Sequence, residues 1–104
     1  MSVALLIKLK EEAESRLLPI ATEEAYRKQW VEPAAAYGLR WLPLFQTGHH
    51  VDASDLPKVM HEFHVMRQHF ISVGALDLSA RAQAVEAALA KALTHPGSIE
   101  VFIG

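Results

Sequence analysis

Six histidines are the first feature of this chain that could do chemistry. His49 and His50 are adjacent, and His61, His64 and His69 fall in a stretch with helical periodicity. In His61-Glu62-Phe63-His64, two imidazoles three positions apart stand about 60° apart around a helix, close enough to share a metal ion. His61, His64, His49 and His50 therefore make up a metal-binding reading, with the third ligand drawn from the loop that carries His49 and His50. The spacing is not that of the zinc hydrolases, whose two histidines flank one more residue and present a glutamate as base. On a helical wheel the apolar face centres near Phe63, which puts His61 and His69 on the far side and His64 at the boundary. That placement favours solvated side chains, and no cofactor is expected.

Arg67 shares the wheel sector of Met60, Phe63 and Ile71, where a charge is costly without a partner. A guanidinium there, with His64 beside it, could anchor the carboxylate or phosphate of a ligand or of a protein partner. The competing reading is a long side chain that reaches past the core edge or pairs with a structural carboxylate. Tyr26, Trp30, Tyr37, Trp41 and Phe45 form an aromatic cluster whose helical spacing points to the core more than to a binding surface. Glu11, Glu12, Glu14, Glu23 and Glu24 resemble a solvated helical face, since paired acid and base groups need one carboxyl desolvated. The serines lack a Gly-x-Ser-x-Gly setting, and the five glycines are dispersed instead of gathered into a phosphate loop. With no cysteine, thiolate metal sites, disulfides and a cysteine nucleophile are also excluded. No enzyme signature emerges.

These residues need elements to position them. Val3 to Leu9 reads as a strand, and its near-continuous apolar run suggests a central place with both faces covered. Lys10 to Leu18 reads as a helix stopped or kinked by Pro19. Thr22 is the expected N-cap of the next helix, with Glu23 and Glu24 in its first turn. Tyr26, Trp30, Ala34 and Tyr37 form its buried stripe, Pro33 threatens to split it, and Gly38 ends it. Leu39 to Phe45 reads as an edge strand because of Pro43. A polar loop follows from Gln46 to Asp55, with Ser54 or Asp55 capping a long helix that carries Pro57 in its first turn. Val59, Met60, Phe63, Met66, Phe70 and Ile71 give that helix one apolar face, and Gly74 closes it. Ser79 is the expected cap of an alanine-rich helix to about Thr94, with Ala82, Val85, Leu89, Ala92 and Leu93 inward. His95-Pro96-Gly97 reads as a turn, and Ser98 to Ile103 alternates as a closing strand.

The predicted class is thus α+β (or α/β): a small three-stranded sheet packed by three to four helices, in the order β-α-(α)-β-α-α-β, with the first strand between the other two. At 104 residues, half of them apolar, the chain is expected to form a single globular domain over 1–104. Its formal charge of −2 and scattered basic residues offer no nucleic-acid footprint. Protonation of all six histidines would move that charge to +4, a considerable change of surface at acid pH. The opening apolar run is too short to span a bilayer and lacks the flanks of a signal peptide, so no membrane is expected and the cytoplasm is the default.

One pattern goes beyond class. A strand at Met1-Ser2-Val3 is followed by Trp41-x-Pro43-x-Phe45-x-x-Gly48 and by Leu56-x-x-Val59-x-x-Glu62-x-x-x-Met66-Arg67-x-x-Phe70. An alanine-leucine helix and the strand Ile99-Glu100-Val101 complete it. This resembles small immunity proteins that bacteria encode beside polymorphic toxins. The resemblance implies a non-enzymatic protein-interaction domain, an inhibitor that plugs a toxin through exposed acidic and histidine-bearing surface. No functional residue carries over with it. The alternative is a small-molecule or metal-binding domain, even an enzyme, that uses Arg67 with His64 or the loop histidines. A homo-oligomer whose first-helix region packs against a copy of itself is the third expectation.

Overall fold

The computed structural model describes residues 2–9, 15–95 and 99–104. Four strands, β1 (Ser2–Leu9), β2 (Ser15–Thr22), β3 (His49–Val51) and β4 (Ile99–Ile103), form one sheet in the order β2-β1-β4-β3. All three pairings are antiparallel, which makes the class α+β. As the apolar run predicts, β1 is central, and its pairing with β4 ties the two ends of the chain together, Leu5 opposite Ile103 and Leu9 opposite Ile99.

The sheet has four strands instead of three, and three segments differ from expectation. Residues 15–18, expected at the end of a helix, pair along β1 instead, with Arg16 opposite Ile7 and Leu18 opposite Leu5. Residues 10–14 of that expected helix lie outside the described residues. Pro19 sits within β2, which is an edge strand, where a missing N–H is tolerated. The register shifts between Val3 and Ala4 close to this proline. The polar loop before the long helix holds β3, a strand too short to show a period. Of the expected His95-Pro96-Gly97 turn, only His95 lies within the described residues, and Ser98 lies outside them.

Residues 23–36 form α1, α-helical at Glu23–Tyr26 and Glu32–Ala36 and widened to a π turn at Arg27–Val31. Thr22 caps it as expected, accepting a hydrogen bond from the Ala25 N–H at 3.2 Å. Pro33 does not split the helix. The wide turn just before it, closed by the Glu32 N–H on the Arg27 carbonyl, accommodates a residue that has no N–H to give. Gly38, at φ +71°, then ends the helix with the Leu39 N–H on the Ala34 carbonyl.

The short helix α2 (Trp41–Leu44) occupies the segment expected to be an edge strand. The long helices α3 (Leu56–Ser72) and α4 (Leu76–Leu93) follow, joined through Gly74 at φ +76°. Asp55 is the N-cap residue of α3, though its side chain makes no capping bond, and Pro57 stands in the first turn as expected. Ser79 is buried inside α4 and is not its cap, because the helix begins three residues earlier.

Helices and sheet share one core. Val3, Leu5, Ile7 and Leu9 of β1 meet Tyr26, Trp30 and Ala34 of α1, Val59, Phe63, Met66 and Phe70 of α3, and Ala82, Val85, Leu89 and Ala92 of α4. Trp30 lies at its centre, edge-on to Phe63 and Phe70 and stacked with Tyr26. Ile71 and Leu93, placed inward by the wheel, are instead about half exposed. β1 is also not covered on both faces. Its odd positions are buried, whereas Ala4 and Leu6 are only half-buried and Ser2 and Lys8 are exposed. The helices lie on one face of the sheet.

Candidate functional site

Among the described residues Glu62 is the buried carboxylate, and it works on backbone. It projects from α3 toward the start of α2, where its oxygens accept the N–H groups of Arg40 (3.2 Å), Trp41 (2.9 and 3.1 Å) and Leu42 (3.1 Å). These are N–H groups that a helix start leaves without partners, and a carboxylate there also meets the positive end of the peptide dipoles. The Tyr26 hydroxyl donates to the Leu42 carbonyl at 2.7 Å, so α2 is held from both sides. Burial, and secondarily the Glu62 charge, push the Tyr26 hydroxyl far above its ordinary pKa. It therefore stays a proton donor. The short helix in place of a strand is the work of these two side chains.

Arg67 and His64 converge on Glu86 of α4. Arg67 Nε lies 2.8 Å from Glu86 Oε2, an ion pair closed to solvent although the N–H is not well aimed along it. Arg67 Nη2 lies 2.8 Å and Glu86 Oε1 3.3 Å from His64 Nδ1. His64 Nδ1 therefore faces both a guanidinium donor and a carboxylate acceptor, and its role depends on the tautomer of the ring. The arginine is thus held by a carboxylate of the neighbouring helix. Glu86 could not be singled out from the sequence, since nothing in an alanine-rich helix marks one glutamate as the partner of a residue nineteen positions earlier.

The remaining histidines are dispersed. His49 packs edge-on to Trp41 on the helix side of β3, whereas His50 points the other way, against Phe102. His69 Nδ1 lies 3.0 Å from the Tyr37 hydroxyl. His61 is exposed and lines an open groove with Arg40, Trp41 and Lys58. Among the described residues no group of three or more His, Asp or Glu gathers as a metal site. A smaller pocket of about 190 Å³ lies between the β1–β2 hairpin and the end of α4, walled by Leu5, Ile7, Leu17, Leu18 and Ala92 and rimmed by Arg16 and Lys91.

The sheet face turned away from the helices carries an ordered row of side chains. In the strand register Leu17 lies opposite Leu6, Leu6 opposite Phe102, and Phe102 opposite His50. The four side chains form one row across all four strands, with Leu17 66% exposed at its margin and Leu6 and Phe102 half-buried at its middle. One step along the strands, Ala4 lies opposite Pro19, and Ala4 and Gly104 exchange N–H···O bonds of 3.2 and 3.0 Å. A step the other way, Lys8 lies opposite Glu100, both exposed and neither in an ion pair among the described residues. Gly48, at φ +88°, passes so close to the Phe102 ring that a Cβ there would stand 2.7 Å from it. The apolar even positions of β1 were the sequence signal for this face.

No helix among the described residues is long and apolar enough to cross a membrane. No family model, curated protein or solved structure matches the chain.

Proposed function

We propose that this chain is a non-enzymatic protein-interaction domain whose binding surface is the open face of its sheet. The observation that carries the reading is the row Leu17–Leu6–Phe102–His50, apolar for three of its four members and, among the described residues, left without a helix over it. Antiparallel sheets ordinarily show water a polar face, and an apolar one rimmed by charge marks a contact surface. The groups suited to catalysis support the same reading, because Glu62 is engaged by three backbone N–H groups and Arg67 by Glu86. An immunity-type inhibitor, as the sequence resemblance implies, is one form of this function, with a toxin as the partner.

Leu17, which also lines the small pocket beside Arg16, allows a test. It is exposed, so Leu17→Glu should cost the fold less than about 0.5 kcal/mol. Tagged wild-type and Leu17→Glu chains are used in parallel to capture partners from a lysate of the source organism. A stoichiometric protein partner held by the first and lost by the second supports the reading. A partner held equally by both overturns the assigned surface.

A second reading, small-molecule binding, is favoured by the pocket beside Arg16 and Lys91, whose apolar walls and cationic rim suit an aliphatic carboxylate. It requires that a carboxylate such as octanoate raise the melting temperature of the wild-type chain and not that of an Arg16→Ala, Lys91→Ala variant.

A further inference from the structure

Resting on the reading of the open face as a protein-binding surface, we propose that its occupant is a second copy of this chain. The two sheets pack face to face about a two-fold axis that runs between β1 and β4, parallel to the strands. In the order β2-β1-β4-β3 that line is the centre of the sheet, so the rotation lays β1 over the partner's β4 and β2 over its β3.

The residues that this operation brings together suit one another. Leu6 meets Phe102, so the largest apolar side chains of the row meet at the middle, and Leu17 meets His50 at each margin. Ala4 meets Gly104, small against small, at one end. At the other end Lys8 meets Glu100, and it does so twice, once on each side of the axis. Both charges are unpaired within the described chain, and side by side on one face they form a patch that is complementary to its own rotated image. That is the property an isologous interface requires. Sheets so packed lie about 10 Å apart with strands within about 30° of each other.

The span of the face sets the strength. Strands about 4.8 Å apart, crossing the contact over about 17 Å on β1, β2 and β4 and about 10 Å on the three-residue β3, cover roughly a third of the ~800 Å² per partner of a standard interface. The dimer is therefore reversible and concentration-dependent. It leaves the helices outward.

Sedimentation equilibrium of the purified full chain, from micromolar to about millimolar concentration, tests the proposal with two charge reversals. Wild-type chain is expected to dimerise. Lys8→Glu or Glu100→Lys alone turns two attractive contacts repulsive and weakens the dimer by about tenfold or more. An equimolar mixture of the two variants associates again to within a few-fold of wild type, because each contact then joins opposite charges. Each reversal also places like charges on adjacent strands within one chain, so thermal melting accompanies every sample, and Leu17→Glu provides a variant free of that strain. A wild-type chain that stays monomeric overturns the second copy as occupant, while the capture experiment with Leu17→Glu decides separately whether another protein takes the face. A dimer indifferent to both reversals and to Leu17→Glu overturns the proposed geometry.

Discussion

Replacing Glu62 should unfold one corner of this protein before it touches any binding. Its two oxygens accept from three consecutive backbone N–H groups, at 2.9 to 3.2 Å, and the residue is only 8% exposed. Loss of a local helix cap costs about 0.5–2 kcal/mol, and a hydrogen bond to a charged group is worth about 1.5–3 kcal/mol. Water reaches the vacated site through the neighbouring groove and recovers part of that. Glu62→Ala is therefore expected to destabilise by about 2–4 kcal/mol. Glu62→Gln retains one acceptor oxygen but turns an amide N–H₂ toward a backbone donor, and should cost about 1–2 kcal/mol. For a domain of this size, 1 kcal/mol shifts the melting temperature by about 4–8 °C. Urea unfolding followed by tryptophan fluorescence reads both variants, since Trp41 heads the capped helix. If Glu62→Ala falls within about 0.5 kcal/mol of wild type, the carboxylate does not hold α2 and the reasoning fails.

Three further outcomes can be checked by the same unfolding assays. Tyr26→Phe should cost about 1 kcal/mol through the bond to the Leu42 carbonyl. It should also flatten the alkaline limb of the stability curve. The raised hydroxyl stays protonated in the folded state, so its contribution is full below about pH 10 and is lost above it as the unfolded chain ionises, by up to about 1.4 kcal/mol per pH unit. Glu86→Gln should destabilise by about 1–3 kcal/mol, because it leaves a largely buried guanidinium without its counter-charge, and a double-mutant cycle with Arg67→Ala should show coupling of at least about 0.5 kcal/mol. Gly48→Ala should cost about 1–3 kcal/mol, since it combines a positive φ with a methyl placed against the Phe102 ring; a neutral result would show that the ring moves aside freely.

What the sequence revealed follows the range of the forces involved. The strand at Val3–Leu9 and the helices around Phe63 and Leu89 were legible because each carries a long apolar period of its own. So were the Thr22 cap and the Gly38 and Gly74 stops, which are decided within a turn of chain. The segment Trp41-Leu-Pro-Leu-Phe45 was misread because its apolar run has no period, and the residue that makes it helical, Glu62, lies some twenty positions away. Residues 15–18 were misread for a similar reason. Their charged, helix-like neighbourhood says nothing of the β1 edge with which they pair. Arg67 was recognisable as a charge in need of a partner, but which carboxylate answers it depends on how two helices pack. The apolar even positions of β1 were read as a face to be covered, and the fold supplies a helix layer on one side alone. That mismatch between strand composition and available cover underlies the functional proposal.

Methyl spectra of a chain labelled at leucine, isoleucine and valine test most directly whether a protein covers the open face. They would be recorded over a dilution series and again after addition of a lysate of the source organism. Leu6 and Leu17 methyls are expected to shift or broaden as association proceeds, while those of Ile71, Val73 and Leu76, exposed at the far end of the helix pair, keep their positions. Constant Leu6 and Leu17 signals throughout, or changes confined to residues 71–76, would contradict the sheet face as the interaction surface.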